Sequence, residues 1–182
     1  MLIDDYHKVV DYLMRQPFFT DALHKTLSEL KIPKEDKTGI YPSILDAHIF
    51  EPDEKGMTPF DFFLENAKLT PSQKKLYELW MNNTLFSLFE VVDLKIPQIV
   101  DIVSSKSYKI DSFLTEVKVK PGDLITARIV PKDEKKDTWV ILAGNVTSYP
   151  KEAIEILKSE LSKSSYGINE LELIKYAYTQ QP

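Results

Sequence analysis

The chain has 182 residues, enough for one medium domain or two small packed units with a substantial core. It carries 23 lysine and arginine residues against 28 aspartate and glutamate residues, a formal net charge of -5, and no segment of it is basic. Because non-specific nucleic-acid binding depends mainly on Lys and Arg at phosphates, this balance disfavours a general nucleic-acid binder. The absence of cysteine excludes disulfides, thiolate metal sites and cysteine nucleophiles.

The start of the chain, MLIDDYHKVV, has two acids where a secretory signal needs a basic flank. No apolar run approaches the roughly 20 residues that a membrane-spanning helix requires. The sequence therefore predicts a soluble cytoplasmic protein with no membrane partner.

Residues 1–83 are predicted to form a helical region. One helical face repeats at i, i+3, i+4 and i+7 in each of two segments, which contribute Tyr6, Val9, Val10 and Leu13, and then Phe19, Leu23, Leu27 and Leu30. Residues 34–57 hold prolines, glycines and mixed charge around a short apolar patch at 44–50. We interpret 34–57 as a long loop with at most a short helix.

Two later helix starts have clear capping chemistry. Thr58 is placed to cap a helix whose first residue is Pro59. Thr70 and Gln73 have the spacing of a capping box, in which each side chain accepts a hydrogen bond from the other residue's backbone N–H.

At Phe86 the apolar period changes from 3.6 to 2, and short β-rich runs alternate with turns through the rest of the region 84–149. In PGDLITARIV, Ile125, Ala127 and Ile129 share one face of a strand after a Pro-Gly turn. The run WVILA, residues 139–143, is apolar on both faces and must be covered on both sides. Residues 150–182 return to a helical period.

The predicted fold class is α+β, with a small antiparallel β-barrel of the SH3- or OB-like kind flanked by N- and C-terminal helices. Its predicted regions are the helical region 1–83, the barrel 84–149, and C-terminal helices in 150–182 that pack on the barrel.

The segment from IFEPDEKGMTPFDFFLENAKLTPSQKKLYELW to SLFEVVDL, followed by DIVSSKSYKI and KPGDLITARIVP, resembles a group of uncharacterised bacterial proteins that often carry a SEC-C zinc motif. The resemblance covers about residues 49–150. It rests on Gly56, Thr58, Pro59, Leu69, Thr70, Pro71, Trp80, Ser87, Leu88, Phe89, Glu90, Val91, Pro121, Gly122, Asp123, Leu124, Ala127, Arg128 and Pro131. It implies helices leading into a small β domain and no established activity. The chain has none of the cysteines of the zinc motif, so the resemblance implies no zinc-dependent role.

No catalytic, cofactor or metal site is predicted. The chain contains no nucleophile elbow, Walker loop or dinucleotide fingerprint, and its five glycines leave little room for a phosphate cradle. Asp46, His48, Glu51 and Asp53 lie in the acidic segment 46–54, where a divalent ion is one interpretation and a solvated loop the favoured one.

Charged residues in the strands give two readings. Glu90 and Arg128 each interrupt an apolar strand, which favours a cross-strand ion pair over an anion-binding role for Arg128. Tyr108, Lys118, Lys120 and Arg128 are the candidate residues for a binding face on the barrel.

The expected function is a non-enzymatic protein-interaction module with a protein partner. The alternative is a weak single-stranded nucleic-acid-binding protein that uses the barrel face, with Lys118 and Lys120 on one side of a strand.

Overall fold

The computed structural model describes residues 2–32, 40–111, 119–142 and 147–149. In this part of the chain five helices precede an antiparallel sheet. The helices are α1 (Leu2–Leu13), α2 (Pro17–Glu29), α3 (Ile40–Phe50), α4 (Pro59–Asn66) and α5 (Pro71–Asn83). The strands are β1 (Leu85–Asp93), β2 (Gln98–Asp101), β3 (Ser107–Lys109), β4 (Leu124–Pro131), β5 (Trp139–Ile141) and β6 (Thr147–Tyr149). The α+β class is confirmed.

Both predicted helix starts are confirmed in atomic detail. Thr58 Oγ1 accepts a hydrogen bond from Asp61 N at 3.1 Å, and the Asp61 carboxylate accepts one from Thr58 N at 2.8 Å. At α5, Thr70 Oγ1 accepts from Gln73 N at 3.3 Å and Gln73 Oε1 accepts from Thr70 N at 3.0 Å. Each box satisfies two backbone donors that the first turn leaves without partners.

Helix α3 is longer than the short helix that we allowed within the loop predicted for residues 34–57. Ile40–Phe50 forms three helical turns, with Pro42 in the first turn, where its missing N–H costs nothing. Ile44, Ala47 and Ile49 are all buried in the helical core. The helix was hard to predict because its apolar residues lie all round it, and such a helix has no amphipathic period to read.

The sheet has the strand order β3-β2-β1-β4-β5. Strands β5 and β6 share one edge of β4, where β6 pairs with its first half and β5 with its second half. All named strand pairs are antiparallel. In the turn before β4, Gly122 has a φ of 87° and donates its N–H to the Val91 carbonyl at 2.7 Å. A left-handed backbone conformation at this position of the turn favours glycine.

Within the described residues the strand ladder does not close into a barrel. The two edge strands, β3 and β5, are three residues long each and meet at one parallel bridge between Ile110 and Trp139. These edge strands are too short to form a continuous ladder of hydrogen bonds with each other. The sheet is therefore antiparallel and curled, without the closure that the strand pattern led us to expect.

Every residue of β4 is buried, because each face of the strand is covered by a different layer. Ile125, Ala127 and Ile129 lie in the inner core of the sheet, which confirms the predicted face. On the opposite face, Val130 belongs to the core formed by the helices. The prediction for WVILA is confirmed for its described part, since Val140 packs on the helical core and Ile141 on the inner one.

Helical region and sheet meet at a short connection, because α5 ends at Asn83 and β1 begins at Leu85. Leu142 and Val130 share one core with the helices, so the two regions pack together. The C-terminal helices predicted for 150–182 lie outside the described residues.

Candidate binding groove

The start of α2 places two adjacent phenylalanines in opposite surroundings. Pro17 occupies the first turn, where its fixed φ suits a helix. Successive helical residues point about 100° apart, so Phe18 and Phe19 cannot both face the core. Phe19 is buried at 1% exposure, whereas Phe18 remains 48% exposed.

The loop between α3 and α4 is held by its own hydrogen bonds. The Asp53 carboxylate accepts from Lys55 N at 2.8 Å and from Met57 N at 3.0 Å, and Asp53 N donates to the Met57 carbonyl at 2.8 Å. Gly56 takes a φ of 80°, a conformation that other residues rarely adopt. These contacts fix the backbone that presents the Met57 side chain, which is 41% exposed.

A groove with a volume of about 510 Å³ lies between α2, the end of α3, this loop and the start of α4. Phe18 and Phe62 meet edge-on, with ring centroids 5.0 Å apart, and form part of its apolar wall. We call this site the α2–α4 groove. Its lining residues are Phe18, Phe19, Ala22, His48, Glu51, Pro52, Asp53, Lys55, Met57, Thr58, Pro59 and Phe62.

The polar groups of the α2–α4 groove lie where α3 ends. His48 Nε2 is 2.9 Å from Thr26 Oγ1, and His48 Nδ1 is 3.5 Å from the Glu51 carboxylate. The His48 ring is thus anchored in the wall, and the Glu51 side chain, 45% exposed, stands at the rim. Acidic groups outnumber basic ones in the adjoining loop segment EPDEK, all of which is exposed.

Arg128 lies at the junction between sheet and helices. Its Nε donates to the Asp46 carboxylate at 2.7 Å, and both side chains are almost fully buried. The other Asp46 oxygen accepts from the Tyr6 hydroxyl at 2.6 Å, and the Arg128 guanidinium lies 4.0 Å from the centre of the Phe50 ring. A buried charge surrounded by these partners is well satisfied.

The proposed cross-strand pair of Glu90 and Arg128 is wrong. Glu90 lies opposite Leu124 on β4 and is exposed, whereas Phe86 lies opposite Arg128. The acid that pairs with Arg128 comes from α3, and alternation along the strand directs Arg128 toward the helices.

The candidate barrel face is not assembled as one surface among the described residues. Tyr108 is 6% exposed and packs edge-on against Trp139, with ring centroids 5.0 Å apart. Burial, with a smaller contribution from the charge of Asp101, raises the pKa of the Tyr108 hydroxyl. Lys120 is exposed, Arg128 is buried, and Lys118 lies outside the described residues. Tyr108 and Arg128 are therefore not accessible for stacking or for phosphate contacts.

The acidic residues of segment 46–54 do not gather around one point. Asp46 is buried against Arg128, Glu51 faces His48, and Asp53 accepts from the backbone of its own loop. The described residues contain no group of three or more His, Asp or Glu side chains arranged to hold a metal ion.

The α2–α4 groove was not predicted from the sequence. The available signal was the pair Phe18-Phe19 directly after a proline, where only Phe19 fits the apolar stripe of the helix. The contribution of Met57 depends on the folded loop and carries no comparable pattern.

Comparison of the chain with family models, with curated proteins and with solved structures finds no match. The resemblance to proteins with a SEC-C motif thus remains an expectation from the sequence. None of the described helices has the length and apolar character needed to cross a bilayer.

Proposed function

We propose that this protein is a non-enzymatic protein-interaction module that binds a segment of a partner protein in the α2–α4 groove. The observation that carries the proposal is the exposure of Phe18 and Met57, at 48% and 41%, along a groove lined mainly by apolar side chains. Exposed apolar surface that forms a groove is typical of a binding site, whereas scattered exposed residues are ordinary.

The backbone around the α2–α4 groove supports this proposal. Phe18 stands on a helix, and Met57 lies between the Asp53 hydrogen bonds and the Thr58 capping box. A groove that is formed before binding spares a partner the entropic cost of ordering it. Of its polar side chains, His48 is held between Thr26 and Glu51, an arrangement that suits recognition better than acid–base chemistry.

In this proposal the sheet is a scaffold, an incomplete small barrel of the SH3- or OB-like kind. The bridge between Ile110 and Trp139 and the inner core shared by all five strands of the main path support that view. The nucleic-acid alternative has weaker support, because Tyr108 and Arg128 are buried and Lys120 is the one exposed cation among the described residues of the candidate face.

Site-specific photocrosslinking in living cells tests the proposal. A benzophenone amino acid replaces Phe18 in one variant and Ile96 in a matched control, since Ile96 is 63% exposed on the β1–β2 turn and outside the groove. We expect a discrete intermolecular adduct at position 18 that disappears when Met57→Ser is added, and no such adduct at position 96.

Three results would overturn the proposal. They are the same adducts at both positions, an adduct at position 18 that survives Met57→Ser, and crosslinks confined to the chain itself.

A further inference from the structure

The α2–α4 groove has an apolar floor and a negatively charged rim. Glu51 lines the groove with its side chain 45% exposed, and Asp53 and Glu54 follow it in the same exposed loop, with Lys55 the one cation there. The whole chain is also acidic, at -5. A partner that brings apolar side chains to the floor and positive charge to the rim would therefore be complementary to this groove.

The walls of the groove determine which backbone conformation a bound partner segment can have. Among the described residues these walls are α2, the end of α3, the start of α4 and the loop between α3 and α4, whose backbone is hydrogen-bonded within itself. None of these walls is a strand, so this part of the structure offers no strand edge to an extended peptide. An amphipathic helix needs no backbone hydrogen bonds from its receptor, because its own are made internally, and it docks through side chains at i, i+3, i+4 and i+7. Aromatic walls such as Phe18 and Phe62 also attract cations that flank apolar anchors.

We propose that the α2–α4 groove binds a basic amphipathic helix of a partner protein, with its apolar stripe on Phe18, Phe62 and Met57 and its Lys or Arg residues beside Glu51. This inference rests on the proposed function and adds to it the charge and backbone form of the partner. Opposite charge at the rim raises the encounter rate and rejects acidic helices that carry the same apolar stripe.

Three synthetic peptides test the inference with the full chain. The first is an 18-residue helix with leucine at the stripe positions and lysine elsewhere, the second has glutamate in place of lysine, and the third is the first with its sequence scrambled to destroy the stripe. Fluorescence anisotropy of labelled peptides gives each Kd at about 0.1 M salt, where the screening length is about 10 Å.

We expect the lysine helix to bind at least ten-fold more tightly than either of the other peptides. Glu51→Lys should weaken its binding about five- to ten-fold and Glu51→Gln less, whereas Glu90→Lys, the same charge change on an exposed strand residue, should change the Kd less than two-fold. Phe18→Ser should weaken binding at least ten-fold, and Ile96→Ser should not.

Failure of this inference is distinguishable from failure of the proposed function. If the lysine and glutamate helices bind equally and Phe18→Ser weakens both, the charge preference is overturned while the groove stands as a binding site. If the scrambled lysine peptide binds as tightly and Glu90→Lys weakens it as much as Glu51→Lys, the binding is diffuse attraction to an acidic protein and the inference is overturned. If no peptide responds to Phe18→Ser, both proposals lose their support.

Discussion

The two faces of β4 are equally buried but chemically different. On the inner face, Ile125, Ala127 and Ile129 contact other apolar residues of the sheet. On the outer face Arg128 is 5% exposed and depends on Asp46, a residue 82 positions away on α3. The inner face gains stability from area removed from water, and the outer face requires a partner for every charge it buries.

This difference shows how one strand joins two layers. An apolar face accepts any apolar neighbour of suitable volume, so the inner face alone would tolerate several packings. The Asp46–Arg128 pair, with Tyr6 on the same carboxylate, is satisfied in one arrangement of α1, α3 and β4. The pair therefore joins α1 and α3 to β4, and we infer that it favours this packing of the helices on the sheet.

Removal of one charge should give the largest loss of stability. Asp46→Ala leaves the buried Arg128 guanidinium without its carboxylate, and we expect the free energy of unfolding to fall by about 3–5 kcal/mol. The matched control replaces both partners, as Asp46→Leu with Arg128→Met, and should be much less harmful because it buries no unpaired charge. Urea unfolding followed by circular dichroism measures both. A loss from Asp46→Ala no larger than that from the double replacement would show that the outer face does not depend on this pair.

Truncation on the inner face should cost somewhat less. Ile129 is fully buried in the inner core, so Ile129→Ala leaves a cavity and should lower the unfolding free energy by about 2–5 kcal/mol. Ile129→Val removes one methylene and should cost about 0.5–1.5 kcal/mol. The same urea titration checks both, and equal losses from the two variants would contradict cavity formation as the cause.

The capping box of α5 offers a local contrast with both faces of β4. Thr70→Ala removes the oxygen that accepts the Gln73 N–H and should cost about 0.5–2 kcal/mol, whereas Thr70→Ser keeps that oxygen and should cost less. An unchanged urea midpoint for Thr70→Ala would mean that the hydroxyl does not stabilise the helix that lies against β4.

Of these substitutions, Tyr77→Phe should lower the free energy of unfolding least at neutral pH, and its effect should depend on pH. The Tyr77 hydroxyl donates to the Asp5 carbonyl at 3.0 Å, so Tyr77→Phe should cost about 0.5–1.5 kcal/mol. Burial, assisted by the charge of Asp5, raises the pKa of the Tyr77 hydroxyl well above its ordinary value of 10.0.

The sign of the pH effect follows from that raised pKa. Above about pH 10 the unfolded tyrosine loses its proton while the native one keeps it, so native stability is full below this pH and falls as the pH rises further. Tyr77→Phe lacks this titration, and its deficit relative to the parent should shrink above pH 10. Parallel stability curves for parent and variant between pH 8 and pH 11 would contradict a raised pKa in the native state.

The amino-acid sequence alone was enough to predict the features whose physical cause lies within a few residues. The starts of α4 and α5 follow from Thr58 and Thr70, because a cap satisfies backbone donors two or three positions away. The inner face of β4 follows from alternation, because successive strand residues point to opposite sides. The burial of stripe residues such as Phe19 and Leu23 on α2 follows from the helical period in the same way.

Contacts between residues that are distant in sequence became known from the folded structure alone. Arg128 looked like a partner for Glu90 because each interrupts an apolar strand, yet the face of β4 that Arg128 occupies is covered by α3, which supplies Asp46. The α2–α4 groove likewise exists because a helix start and a loop that are far apart in sequence place Phe18 and Met57 along the same groove. Local propensity acts over one or two turns of chain, whereas the pairing of a buried charge and the shape of a groove depend on how whole layers dock.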